Sequence, residues 1–255
     1  MTDFDSRIEK LNEMIAGARR IVFFTGAGIS TGSGIPDFRS SNGLYTTSEE
    51  DEPEYMLSHT CLQMEPERFY AYLRNYMDFR NYEPNIAHLK ISELQRTRTV
   101  SVVTQNIDGL HEKAGSKVVD AIHGTMNKWY CVGCLNDLFI PEDVMDGNYD
   151  NLFEVPKCPL CGGEFIIRPD ITLYGEGLPG NAWANAQLHV GSADVLIVVG
   201  TSLVVSPANH IPYYFGDNKH LVIINKEPTW LDKDAGLVFH EDICEVFEKV
   251  VIPND

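Results

Sequence analysis

Four short apolar runs, each ending in small or polar residues, constrain this chain more than any other feature. IVFF (21–24) leads into TGAG, TVSVV (99–103) into TQNIDG, DVLIVV (194–199) into GTS, and HLVII (220–224) into NK. Apart from Ser101 their interiors are wholly apolar, so they read as strands buried on both faces. Weaker strand signals are VVDAIH (118–123) and LVF (237–239). Helical spacing fills the intervals. Ile8, Leu11, Met14 and Ile15 mark a first helix within 5–19, and Phe69, Tyr72, Leu73 and Tyr76 another within 66–80. Asn85 caps a third, with Ile86, Leu89 and Leu94. Asp242 caps the last, with Glu245 as a reciprocal cap and Ile243, Val246, Phe247 and Val250 as its buried stripe. Strands alternating with helices predict an α/β fold whose mostly parallel sheet is covered on both faces. In such sheets ligands lie just beyond the strand C-termini. Thr25-Gly26, Thr104 to Asp108, His123-Gly124 and Gly200-Thr201-Ser202 are therefore expected to converge on one crevice.

The formal charge is −17 over 255 residues. So acidic a surface repels phosphate backbones, which argues against direct nucleic-acid binding; it would attract lysine-rich peptides, although most of these charges read as serving solubility. The run Glu49 to Glu54 is expected to be a solvated loop. No apolar run reaches the ~18 residues of a membrane helix. The N-terminus MTDFDSRIEK lacks a secretory pattern, so the expectation is a cytoplasmic protein without membrane attachment.

Four of the six cysteines form two pairs, Cys131-x-x-Cys134 and Cys158-x-x-Cys161, separated by 23 residues. In a cytosolic chain this spacing predicts four thiolates around one zinc ion. All four positions are sulfur, so no place is left for water or substrate and the metal is structural. Residues 124–169 look like a metal-stapled insertion with little core of their own, and 36–85 like a helical insertion. A redox CxxC pair, or a zinc ribbon using Lys128, Trp129 and Tyr130 on nucleic acid, are minor alternatives. Cys61 and Cys244 are expected to be buried apolar residues.

Residues 26–34 hold Gly26, Gly28, Gly32 and Gly34. Glycines let backbone amides approach a pyrophosphate. The dinucleotide fingerprint G-x-G-x-x-G is incomplete, because Thr31 stands where its third glycine belongs, and the acidic residue about 20 positions on is missing. By itself the loop is equally a tight turn without a ligand. The following GIPDFR adds Asp37, Phe38 and Arg39, an acid, a ring and a guanidinium beyond the loop. His123, ending a strand before Gly124, suits a general base. His111 reads as a helix residue satisfied in the core. Asn225 offers an amide suited to a ribose hydroxyl. Gly200-Thr-Ser-Leu lacks the second glycine of a serine-hydrolase elbow.

Together TGAGISTGSGIPDFR, TQNIDGLHEKAG, IHGT, the two CxxC pairs, LYGEGLP, GTSLVVSPAN and INKEPT resemble the sirtuin family, the Sir2-type NAD-dependent protein deacylases, of bacterial type. The resemblance implies a Rossmann-like, doubly wound large domain (1–35, 86–123 and 170–255). The helical and zinc insertions would form a smaller domain. NAD and an acylated lysine peptide would lie between them, the peptide adding a strand beside Glu176-Gly177-Leu178 and the stretch after Val204. It implies Ala27, Gly28, Thr31 and Arg39 at the diphosphate. Gly200, Thr201, Ser202, Asn225, Asp242 and Ile243 would serve the adenosine end. Phe38, Ile107 and Asp108 would hold the nicotinamide, with Gln105 and Asn106 at its ribose. His123 and Asn106 would be catalytic, His123 taking a proton from the ribose hydroxyls. Products would be nicotinamide, O-acetyl-ADP-ribose and free lysine. Leu73 stands where relatives that prefer succinyl groups carry arginine after Tyr70, which implies an uncharged acyl group such as acetyl. The alternative activity is mono-ADP-ribosyl transfer from the same NAD site. The protein is expected to act as a monomer.

Overall fold

The computed structural model describes residues 2–37, 52–137, 139, 141–146, 155–216 and 220–253. The chain opens with α1 (Asp3–Gly17), capped reciprocally by Thr2 and Asp5, and enters β1 (Arg20–Thr25). Three short helices follow, α2 (Pro53–Met56), α3 (His59–Met64) and α4 (Pro66–Tyr76). Next come α5 (Ile86–Thr97), β2 (Thr99–Thr104), α6 (Leu110–Lys113) and β3 (Val119–Ala121). β4 (Gly124–Cys131), α7 (Pro141–Met145) and β5 (Ile167–Ile171) make an excursion. The chain closes through α8 (Gly180–Ser192), β6 (Val195–Val199), β7 (His220–Ile224), β8 (Leu237–Phe239) and α9 (Ile243–Glu248).

The uninterrupted apolar runs do form the interior of a doubly covered sheet. Six strands stand in the order β3-β2-β1-β6-β7-β8, and every neighbouring pair is parallel. Side chains alternate across it as strand geometry requires. Ile21, Phe23, Val102, Ile197 and Val222 pack with Leu11, Ile15, Ile91, Leu94 and Phe247 on one face. Val22, Phe24, Val103, Val198 and Ile223 pack with Ala186, Val190 and Ile211 on the other. The strand order reverses between β1 and β6, and a doubly wound sheet opens its ligand crevice at such a point.

A second core lies outside this sheet. Leu62, Phe69, Tyr70 and Leu73 of the short helices pack on Met126, Trp129, Ile167 and Ile171 of the antiparallel pair β4–β5. This corrects the expectation that residues 124–168 hold little core. Trp129 is fully buried, with Nε1 donating to the Met126 carbonyl at 2.8 Å, so it is no platform for bases. β5 runs through position 169/170, where the sequence expectation set a boundary.

Other differences are local. The segment after β1 is a 3₁₀ helix, Ala27–Ser33, ending in left-handed Gly34, rather than the start of an α-helix. Asp242 caps α9 by accepting the amides of Cys244 and Glu245, without the reciprocal bond expected of Glu245. Cys61 is buried as expected, whereas Cys244 is only half-buried. Phe38, Arg39 and the acidic positions 49–51 lie outside the described residues. No helix among the described residues is long and apolar enough to cross a membrane.

Candidate active site

Close backbone contact builds the crevice floor. At the C-terminal ends of β1 and β6, Gly26 N–H donates to the Val199 carbonyl at 3.0 Å and Gly28 N–H to the Gly200 carbonyl at 2.8 Å. A Cβ on Gly28 would lie 2.8 Å from Gly200 Cα. Gly200 takes φ +61°, and a Cβ there would come within 2.3 Å of Ile29 N. Only glycine permits both the approach and the left-handed turn. Ala27 and Gly28 therefore begin a 3₁₀ turn pressed onto the Gly200 loop, and exposed Thr31 donates its hydroxyl to the Gly28 carbonyl at 2.9 Å. The turn is held from outside by Asn85, whose Nδ2 donates to the Ile29 carbonyl at 2.7 Å.

The loop after β2 is polar because it is bonded on several sides. Gln105 Nε2 donates to Thr201 Oγ1 at 3.0 Å, which joins this loop to that after β6. Asn106 Nδ2 donates to Ser30 Oγ at 3.1 Å, and Ser30 Oγ donates to Asp108 Oδ2 at 2.7 Å. Asp108 Oδ1 accepts the Leu110 amide at 2.9 Å. Asn106 Nδ2 also donates to Asp108 Oδ2 at 3.3 Å. Burial raises the Asp108 carboxyl, with the bonds from Leu110, Ser30 and Asn106 opposing. Ile107 packs toward the second core, and its carbonyl accepts the Met126 amide at 2.9 Å. The loop thus touches both cores.

His123 follows β3. Its Nδ1 lies 2.9 Å from the Gln105 carbonyl, which can only accept, so Nδ1 carries the proton in the neutral ring. Nε2 is then left with a free lone pair. Burial lowers the imidazole below its ordinary value, and the Gln105 bond opposes this without reversing it. A neutral ring with one nitrogen anchored and the other basic is what a general base needs. His111 differs: its Nε2 meets Thr25 Oγ1 at 3.1 Å, but its Nδ1 is buried without a partner among the described residues.

The remaining site positions sit along the same sheet edge. Gly200 N–H donates to the Ile224 carbonyl at 3.0 Å, which places Thr201 and exposed Ser202 beside Asn225 after β7. Asn225 is 9% exposed, and its Nδ2 donates to the Glu227 carbonyl at 2.6 Å. Asp242 and half-buried Ile243 open α9, which abuts the glycine turn: Cys244 Sγ would be 2.4 Å from a Cβ on Gly32. Residues from six segments thus meet along one sheet edge, over a glycine floor without side-chain cover, a cradle suited to a dinucleotide.

Two residues escaped the sequence reading. Ser30, 1% exposed, links Asn106 and Asp108, yet spacing gives a serine in a glycine loop no mark. Arg168 is 5% exposed and pairs bidentately with Glu176. A lone arginine within IIRPDI was the available signal.

The four paired cysteines form a separate centre. Their sulfurs all lie within 4.8 Å of one another, Cys131 to Cys161 at 3.8 Å and Cys134 to Cys158 at 3.9 Å. Four sulfurs about 2.3 Å from one zinc ion stand about 3.8 Å apart at the corners of a tetrahedron. The donor set therefore fits zinc. Burial pushes Cys131 up, but the amides of Cys134 and Gly133 and the neighbouring thiols bring it down to about 7. Burial and the other thiols push Cys161 up to about 12.

Comparison with known proteins agrees with this arrangement. The family model described as Sir2 family matches residues 26–207. An NAD-dependent protein deacetylase of Clostridium acetobutylicum is 43% identical over 248 residues, covering 96% of this chain and 98% of that protein. One of Staphylococcus aureus strain Mu50 gives the same identity and coverage. Among solved structures, Sir2 with a p53 peptide and NAD+ aligns with TM-score 0.83 at 34% identity, covering 95% of this chain and 96% of that one. Sir2 bound to acetylated peptide aligns with TM-score 0.81 at 33% identity, with the same coverage. Glycine cradle, polar loop, anchored histidine and four-sulfur centre occur here in one chain over a shared fold, and the chain belongs to the Sir2 family.

Proposed function

We infer that this protein is an NAD-dependent protein lysine deacetylase, releasing nicotinamide, O-acetyl-ADP-ribose and free lysine. The observation that carries the reading is His123, anchored through Nδ1 on the carbonyl of Gln105, which itself bonds Thr25 of β1 and Thr201 after β6. The relatives' names and the peptide and NAD+ complexes of Sir2 support it.

NAD, when bound, supplies an electrophilic ribose carbon and a leaving nicotinamide. The chain's own groups do the rest. Ala27, Gly28 and Thr31, with Arg39, hold the diphosphate. Gly200, Thr201, Ser202, Asn225, Asp242 and Ile243 seat the adenosine end. Asp108, steadied by Ser30, bonds the carboxamide within a pocket completed by Phe38 and Ile107. Gln105 and Asn106 orient the nicotinamide ribose. His123 Nε2 takes a proton from a ribose hydroxyl and raises its nucleophilicity toward the acyl carbon. Zinc, held by Cys131, Cys134, Cys158 and Cys161, keeps the second core assembled and takes no part in the chemistry.

The substrate is an acylated lysine peptide laid beside Glu176-Gly177-Leu178 and the stretch after Val204. An uncharged acyl group fits best, because the Tyr70 hydroxyl is spent on the Ile167 carbonyl at 2.7 Å and Leu73 is fully buried. The main sheet and its helices form a large domain. The short helices with β4, β5 and the cysteines form a small one. One chain supplies every group in this scheme, so the protein works as a monomer, without nucleic acid or membrane, in the cytoplasm where the thiols stay reduced. Mass spectrometry of NAD with acetyl-lysine peptide tests the reading: nicotinamide must appear only when peptide is present, in equal amount with acetyl-ADP-ribose. Nicotinamide release without peptide, or ADP-ribose attached to protein, contradicts it.

A further inference from the structure

We propose that the N-terminal edge of the large sheet carries an anion-binding groove for a small ligand with contiguous phosphates. This is the edge opposite the glycine cradle. The chain has 20 Lys and Arg against 37 Asp and Glu. Four of those 20 cations, Arg20, Arg96, Arg98 and Lys117, line a single cavity of about 910 Å³ together with His189, and no carboxylate lines it.

Strand lengths create the cavity. β3 pairs only with Val102, Val103 and Thr104, so the first three residues of β2 have no β3 neighbour. Buried Ile21, Val22 and Val100 back the gap, Gln95 spans it by donating to the Val100 and Val118 carbonyls at 3.2 Å and accepting the Lys117 amide at 2.7 Å, and the C-terminal turns of α5 and α8 bring Arg96 and His189 to it. Among the described residues no carboxylate pairs with Arg20, Arg96, Arg98 or Lys117, and Arg98 spends one N–H on the Thr97 carbonyl at 2.7 Å. Two acids border the group: Asp194 accepts the backbone amides of Arg19 and Arg20 at 3.0 and 2.9 Å, and Asp120 counters His189, 2.6 Å from its Nδ1. Ser92 and Ser101, 5% and 8% exposed, also line the cavity.

A simpler account is that cations complement helix C-termini. It covers Arg96, Arg98 and His189 but not Arg20, which opens β1, or Lys117, which precedes β3. Like charges gathered without counter-charge repel one another. Guanidinium forks match phosphate oxygens bidentately, and the cavity lies within the size range of small-ligand sites. The phosphates can come from an inorganic polyphosphate or from a nucleotide.

Calorimetric titration with inorganic tripolyphosphate and with ATP tests this, at 50 and 200 mM salt as in ~0.05–0.2 M binding assays. The unmodified protein and an Arg96→Ala, Lys117→Ala double variant are compared. The expected result is one site per chain, weaker at the higher salt and at least ~10-fold weaker in the variant, with NAD affinity and melting temperature unchanged. Tighter binding of ATP than of tripolyphosphate assigns the nucleotide source, and equal binding assigns the inorganic one. Absence of binding, or binding that the double substitution leaves undiminished, overturns the proposal.

Discussion

Glu176→Gln isolates the ion pair that ties the loop after β5 to the second core. Arg168 Nη1 donates to Glu176 Oε1 at 2.5 Å and Nη2 to Oε2 at 3.0 Å, and the Arg168 side chain is 6% exposed. Glu176 also accepts the Leu173 amide at 2.9 Å and lies 3.1 Å from His59 Nδ1. Burial alone would push this carboxyl up, but Arg168, the Leu173 amide and His59 hold it down at about 2, against an ordinary 4.5. That gap corresponds to roughly 3 kcal/mol at 1.36 kcal/mol per pH unit. Glu176 is partly exposed, so solvent screening trims the figure toward roughly 2 kcal/mol. Removing one partner of a buried pair costs about 3–5 kcal/mol. The expected loss on Glu176→Gln is therefore about 2–4 kcal/mol. The folded value is depressed, so this stabilisation is complete above pH about 4.5 and is lost as pH falls toward about 2. Urea midpoints at pH 7 and pH 3.5 measure both effects: the glutamine variant must be weaker at pH 7 and show less of the acid loss. A double variant, Arg168→Met with Glu176→Leu, should lie nearer the unmodified protein than either single variant. Because the pair positions residues 173–176, KM for peptide should rise more than KM for NAD. A Glu176→Gln variant within about 0.5 kcal/mol of the parent at pH 7 refutes the reasoning.

Gly200→Ala should cost about 2 kcal/mol or more and weaken NAD binding at least tenfold, read by urea titration and fluorescence, because it meets both a left-handed turn and the Ile29 backbone. Cys134→Ser, at the exposed ligand, should lower zinc content below one ion per chain by atomic absorption and melt the second core first. Burial holds His88 at about 4, so stability is full above pH about 6.5 and declines toward pH 4 by up to ~1.4 kcal/mol per unit; His88→Gln should flatten that slope in urea midpoints. The pH profile of kcat/KM should have its acid limb below 6.5, since His123 must be neutral and burial lowers it.

The sequence makes the main sheet legible for a physical reason: strands covered on both faces need no polar residue, and IVFF and VLIVV have none. The sulfur centre is equally plain, because two CxxC pairs have few other uses in a reducing compartment. The second core was not legible. Its residues are spread over 56–77 and 126–173, and Trp129 sits between Lys128 and Tyr130, so no local window shows the apolar surface they make together. The 3₁₀ turn after β1 was also missed, since glycine spacing marks a close approach without fixing helix type. Ser30 and Arg168 act through partners 76 to 78 and 8 residues away, contacts that periodicity does not encode.

The central claim is that a single imidazole, anchored on Gln105, serves as base in the cofactor cleft. Steady-state kinetics of His123→Ala with acetyl-lysine peptide, beside NAD binding by calorimetry, test it most directly. The account predicts a fall in kcat of about 10²–10⁴-fold or more with NAD still bound and the fold intact. Activity within a few-fold of the parent would contradict it.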